Sequence, residues 1–82
     1  MVTCIVPVYN NEKTIGHVIK TILSFDQVNE FIVIDNFSDD NTRKVIKSFG
    51  NKIHAIFNPR NLGKGGSVAK GIKIAKGDVI FL

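Results

Sequence analysis

The sequence has no tryptophan, one tyrosine, one methionine, one cysteine and two prolines in 82 residues. Each scarcity closes off a class of protein. A single thiol, Cys4, cannot form an internal disulfide, which excludes the stapled secreted scaffolds and fits a reducing, cytoplasmic compartment. No apolar run approaches the roughly 20 residues needed to span a bilayer. The N-terminus has no basic stretch followed by an apolar one and a small-residue cleavage site, so no signal peptide is expected. Low-complexity tracts, internal repeats and linkers are also missing. His17 and His54 have no acid or cysteine cluster around them in sequence, so no metal held by histidine is expected.

What is present describes one folded unit over residues 1–82. The hydrophobic fraction of 44% and the charged fraction of 22% suit a globular domain. A chain this short buries about 60–65% of the surface its unfolded state exposes. The net charge of +4 has two readings: lysines that solvate helix faces, or lysines that face an anion. Lys13, Lys20, Lys44, Lys47, Lys70, Lys73 and Lys76 are spread over separate helical segments. A nucleic-acid surface would gather them on one face among aromatics, so they read as solvation and no nucleic-acid partner is expected.

The apolar pattern switches period along the chain. Residues 3–8 form a short apolar run closed by Pro7 and Asn10-Asn11, which predicts a buried strand. Ile15, Val18, Ile19, Ile22 and Leu23 then fall at i, i+3, i+4, i+7 and i+8, one stripe of a helix, with Asn11 as its expected N-cap and Glu12 in its first turn. Residues 31–34 predict a second strand ending at Asp35. Asp39 or Asp40 is the expected cap of a second helix carrying Val45, Ile46 and Phe49, with Gly50 as its stop. Residues 53–57 predict a third strand. A third helix is expected from Gly65 or Gly66 to Lys76, with Val68, Ile72 and Ala75 on one face and Gly77 as a left-handed terminus. Residues 79–82 open a fourth strand. The order βαβαβαβ, with strands apolar on both faces, predicts an α/β fold: a Rossmann-like, three-layer α/β/α arrangement around a parallel sheet.

In such a sheet ligands bind beyond the carboxyl ends of the strands. The unusual polar residues cluster there: Tyr9, Asn10 and Asn11 after strand one, Asp35 to Asp40 after strand two, and Asn58 to Gly66 after strand three. The turns of the opposite rim read as plain connectors. Asp35, an acceptor only when ionised, suits a base N–H or ribose hydroxyls, or else tightens its own loop. Tyr9 can stack on a flat base or cover the core edge. Gly63-Lys64-Gly65-Gly66, at a helix start, lets backbone N–H groups approach a phosphate, although neither the Rossmann nor the Walker pattern is complete. Cys4, mid-strand, reads as a small buried hydrophobe, and no catalytic triad or dyad assembles.

Taken in order, Ile5-Val6-Pro7-Val8-Tyr9-Asn10, Ile32-Val33-Ile34-Asp35-Asn36-Phe37-Ser38-Asp39-Asp40 and Asn61-Leu62-Gly63-Lys64-Gly65-Gly66 resemble the family-2 glycosyltransferases, whose catalytic domain has the GT-A fold. Nearly the whole chain is covered. The resemblance implies transfer of a sugar from a UDP- or GDP-sugar to an acceptor. Asn-x-Gly-Lys-Gly is similar to members that load sugars onto polyprenyl phosphates. It also implies a nucleotide site. Pro7, Val8, Tyr9 and Asn11 would come from the first loop, Asp35 and Asn36 from the second, and Asn61, Gly63 and Lys64 from the third. Two departures stand out. The family usually has Glu where this chain has Asn11, and often a second Asp where it has Asn36, which leaves the base open between uridine and guanosine.

The resemblance further implies an Asp-x-Asp directly after Leu82, holding Mg²⁺ or Mn²⁺ on the diphosphate. The expectation is therefore a nucleotide-binding part of the parent enzyme, with no catalytic residue and no bound metal of its own and no turnover alone. With strand order 3-2-1-4, strand four offers an apolar edge, and self-association through it is expected. Membrane contact is expected only through a lipid acceptor or segments outside this sequence. Three other readings compete with this one. A pyrophosphorylase-like domain would want a Gly-rich basic loop after strand one, where Tyr9-Asn10-Asn11-Glu12 stands. The others are a basic anion- or nucleic-acid-binding module, and a non-catalytic self-associating one.

Overall fold

The computed structural model describes residues 1–81. Four strands, β1 (Val2–Val8), β2 (Glu30–Asp35), β3 (His54–Phe57) and β4 (Asp78–Phe81), alternate with helices α1 (Ile15–Leu23), α2 (Thr42–Lys47) and α3 (Gly63–Ile74), and one 3-10 turn spans Gly50–Lys52. The strands form one parallel sheet in the order β3-β2-β1-β4. This is the expected α/β architecture and strand order.

Side chains on a strand alternate between faces, and two cores result. On one face Cys4, Val6, Val8, Phe31 and Val33 pack with Ile15, Ile19 and Ile22 of α1 and Ile46 of α2. On the other, Ile5, Ile32 and Ile34 pack with Ile74, Ala75 and Val79. Helices therefore cover both faces, which is why β1 and β2 read as unbroken apolar runs.

Several local expectations are corrected. Leu23 ends α1 exposed, so the buried stripe is Ile15, Ile19 and Ile22. Asn11 does not cap α1: its Oδ1 accepts from the Tyr9 N–H at 3.2 Å, while its carbonyl takes the N–H groups of Thr14 and Ile15. Glu12 consequently precedes the helix. α3 starts earlier than expected, at Gly63, where φ is +73° and the N–H donates to Asn61 Oδ1 at 2.8 Å; an asparagine side chain launches the helix ahead of the glycine pair. Its buried positions are Ser67 and Gly71, with Ile72 50% exposed. The apolar residues of α3 thus mislead about its phase. Gly71 faces the sheet because only a missing side chain fits: a Cβ there would lie 2.8 Å from both Ile34 Cδ1 and Ile5 Cγ2. Gly77 is not left-handed, because Ala75 leaves the helix already extended. Gly77 instead passes so close to β1 that a Cβ would meet the Met1 carbonyl oxygen at 2.5 Å.

Candidate functional site

The carboxyl ends of β1 and β2 lie side by side, with Pro7 opposite Ile34 and Val8 opposite Asp35. Their loops are fastened by side-chain bonds. The Asn10 N–H donates to Ser38 Oγ at 2.9 Å, the Asp39 N–H to Asn10 Oδ1 at 3.0 Å, and the Asn11 N–H to Thr42 Oγ1 at 2.8 Å. Within these loops Asn10 and Phe37 hold positive φ values of 47° and 68°. Neither Asp39 nor Asp40 is the cap expected of them: the N-cap of α2 is Asn41, without a side-chain cap bond, and Asp40, one place earlier, accepts the Thr42 N–H at Oδ1 (2.8 Å).

The third loop closes the rim. Asn36 Oδ1 accepts the Leu62 N–H at 2.8 Å, and Asn36 Nδ2 donates to Asn61 Oδ1 at 2.9 Å. A cavity of about 420 Å³ opens between the three loops, within the roughly 300–1,000 Å³ usual for small-molecule sites. The end of β1 and the first loop line it with Pro7, Val8, Tyr9 and Asn11; the second and third loops contribute Asn36 and Asn61, and α3 contributes Gly63, Lys64 and Ser67. Tyr9 is 48% exposed there, so the ring is free to meet a ligand.

Of the nine residues singled out from sequence, Asp35 alone stays outside the lining. Its side chain is 0% exposed; Oδ2 accepts from the Ser38 N–H at 3.0 Å and from Arg43 Nε at 2.7 Å. Strand alternation explains this. Asp35 follows Val33 onto the α1/α2 face, whereas the cavity lies on the α3 face, where Asn36 follows Ile34. Asp35 therefore tightens its own loop, and its Oδ1 is buried without a hydrogen-bond partner.

Sequence reasoning missed three supporting residues. Arg43 bonds Asp35 and, through its terminal nitrogen, the Asn58 carbonyl at 2.7 Å, with its guanidinium 5.6 Å and 5.5 Å from the ring centres of Phe37 and Phe57. Asn58 is fully buried and donates from Nδ2 to Ser67 Oγ at 2.9 Å and to Asn36 Oδ1 at 3.2 Å. Lys70, read as a solvating residue, instead turns inward and donates to Asn58 Oδ1 at 3.0 Å. The one available signal was Asn58 itself, the first residue after a strand at the ligand rim.

The cavity's inventory is one aromatic ring, one ammonium, amide groups and the backbone at the start of α3. That set can hold a flat heterocycle and an anion. Among the described residues no three His, Cys, Asp or Glu side chains converge, so this stretch does not fit the divalent ion the resemblance implies, and no step is routed through one. Also among the described residues, no helix is long and apolar enough to cross a membrane.

Comparison with known proteins adds the rest. Residues 3–82 match the family described as Glycosyl transferase family 2. The chain is 30% identical over 88 residues to an undecaprenyl-phosphate 4-deoxy-4-formamido-L-arabinose transferase of Proteus mirabilis, covering 98% of this chain and 27% of that one. It superposes on S. aureus TarS 1-349 in complex with UDP-GlcNAc with a TM-score of 0.83 and 28% identity, over 99% of this chain and 25% of that one. A glucosyl-3-phosphoglycerate synthase from Mycobacterium tuberculosis, in complex with Mn²⁺, UDP and phosphoglyceric acid, superposes with a TM-score of 0.81 and 27% identity, over 100% of this chain and 32% of that one. The chain spans about a third or less of the length of the curated relatives it matches.

Proposed function

The chain belongs to glycosyl transferase family 2, and on that premise we propose that its rim cavity receives the nucleotide of a UDP- or GDP-sugar, as the donor-binding part of an enzyme that glycosylates a polyprenyl phosphate. The observation that carries this reading is the convergence on one cavity of eight residues from the end of β1, the three loops that follow β1, β2 and β3, and the start of α3. Tyr9 supplies a face for the base. Lys64 and the N–H groups opening α3 suit the diphosphate. Asp35 and Arg43 act from beneath, by holding the loops in register. Support for the acceptor comes from the undecaprenyl-phosphate transferase relative, and for a divalent ion in the parent enzyme from the Mn²⁺ complex of a structural neighbour.

On this reading residues 1–81 bind and orient a donor and supply no group for the transfer itself. The 82-residue chain should therefore bind UDP or GDP weakly and form no glycosylated product. The single thiol Cys4, buried and free, suits a cytoplasmic setting. β4 forms one edge of the sheet, and Ile80 and Phe81 on it are 43% and 48% exposed. A second copy of the chain pairing along that edge would cover them.

The test is an amide-shift titration of the isotope-labelled chain with UDP and with GDP. Tyr9, Asn36 and Lys64 should move together along one binding curve. Shifts scattered over the surface, or none at millimolar nucleotide, would remove the proposal. Metal-dependent sugar transfer by the isolated chain would overturn the division of labour.

A further inference from the structure

Asn36 is the cavity residue whose chemistry is ambiguous, because an amide can accept or donate. Which it does toward a ligand depends on which way the amide faces, and the surrounding bonds decide that. Two backbone N–H groups, which can only donate, fix the local polarity. The Leu62 N–H points at Asn36 Oδ1 (2.8 Å) and the Gly63 N–H at Asn61 Oδ1 (2.8 Å). A third obligate donor, the Lys70 ammonium, points at Asn58 Oδ1 (3.0 Å). With that oxygen occupied, Asn58 must turn Nδ2 toward Asn36 Oδ1 and Ser67 Oγ.

All three anchors agree. Turning the Asn36 amide over would set its nitrogen against the Leu62 N–H and the Asn58 amide nitrogen and its oxygen against Asn61 Oδ1, losing three hydrogen bonds and making two donor–donor contacts and one acceptor–acceptor contact. In the observed orientation both lone pairs of Asn36 Oδ1 are used within the protein. Asn36 Nδ2 spends one hydrogen on Asn61 Oδ1 at 2.9 Å, and the other is left for the cavity that Asn36 lines.

We infer that Asn36 is a specificity-determining hydrogen-bond donor, which selects a nucleobase offering an acceptor at the position it meets and rejects one offering N–H there. This rests on the cavity being the nucleotide site. A carboxylate at the same place would make the opposite choice, since it only accepts. Uracil and cytosine are the discriminating pair: they share size and the O2 carbonyl but carry opposite polarity at N3 and C4. Uracil presents N3–H and O4; cytosine presents a bare N3 and an amino group.

The experiment measures UDP and CDP affinities for the full chain and for Asn36→Asp, following the Tyr9 ring resonances as the binding monitor. The chain should prefer one of the two nucleotides, and Asn36→Asp should reverse that preference, with the affinity ratio changing by about tenfold or more, the size of one good hydrogen bond gained against one lost. The direction identifies the base atom: UDP preferred by the unaltered chain means O4, CDP preferred means N3. A ratio that Asn36→Asp leaves unmoved overturns the inference while nucleotide binding stands. Tyr9 resonances that respond to neither of these nor to GDP overturn both, and a response to GDP alone overturns the inference while nucleotide binding stands. Should Asn36→Asp fold poorly, the unaltered chain decides. One Asn36 side-chain amide proton should move downfield with the preferred nucleotide and not with the other; equal response, or none, refutes the donor role.

Discussion

Arg43 Nε lies 2.7 Å from Asp35 Oδ2, an ion pair with one partner fully buried and the other 31% exposed. The same guanidinium bonds the Asn58 carbonyl. Arg43 thereby ties the end of β2 to the first residue after β3, the two points from which the second and third loops of the cavity spring. Removing it leaves the Asp35 carboxylate buried and unpaired, which for a fully buried pair costs about 3–5 kcal/mol. Partial exposure of Arg43 lets water screen the charge, so Arg43→Ala should destabilise the chain by roughly 2–3 kcal/mol in urea denaturation. Arg43→Lys should recover little of it, since one ammonium cannot reproduce the fork that meets both oxygens.

The glycines of α3 should separate cleanly by burial. Gly71→Ala drives a methyl against Ile5 and Ile34, an overpacking that costs about 1–3 kcal/mol. Gly65→Ala meets nothing within 4 Å and should instead stabilise by roughly 0.5–1 kcal/mol through helix propensity. Thermal melts of the two variants should move in opposite directions; a shared direction would contradict the packing of α3 on the sheet.

Tyr9 is half-exposed on the cavity, so its ring contributes to ligand binding far more than to folding. Tyr9→Ala should weaken nucleotide affinity by about tenfold, in line with roughly 1–3 kcal/mol for an aromatic stacked on a base, while urea denaturation shifts little. Tyr9→Phe, which keeps the ring, should retain most of the affinity. A large stability loss in Tyr9→Ala would instead mark the ring as a core cover.

On the opposite rim, Glu30 Oε1 accepts the Lys76 N–H at 2.9 Å and the Thr3 hydroxyl at 2.8 Å. These bonds, the backbone one first, hold its carboxyl below the ordinary value of 4.5. A depressed folded-state pKa gives stability that is fully present above the unfolded value and is lost as pH falls through the folded one. The chain should accordingly lose stability below about pH 4.5 in part through Glu30. Glu30→Gln still accepts both bonds but cannot titrate. Its stability deficit, measured by urea midpoints from pH 7 down to pH 3, should shrink as the pH drops; a deficit constant with pH would assign the effect elsewhere.

The opposite rim also shows where reading turns as plain connectors falls short. Thr3 Oγ1 accepts the Gly77 N–H at 3.0 Å while donating to Glu30, so β1, β2 and the start of β4 are stapled there. Each of these residues looks ordinary in sequence, and they acquire a role only as neighbours. Lys70 is similar: its spacing among other lysines suggests solvent, yet the approach of α3 to Asn58 turns it inward.

The chain's own pattern determined the alternation of strands and helices, the parallel sheet and the rim that carries the site, because burial on both faces and breaker residues are local properties that sequence displays directly. The family resemblance, carried by the strand-end and glycine motifs, singled out eight of the residues that line the cavity. Only the tertiary structure decided that Asp35 faces α2 while its neighbour Asn36 faces α3, that Gly71 rather than Ile72 meets the sheet, and that the Asn36 amide points its donor outward. Those outcomes depend on which helix packs on which face and on donors brought in from distant segments, and no local pattern encodes them.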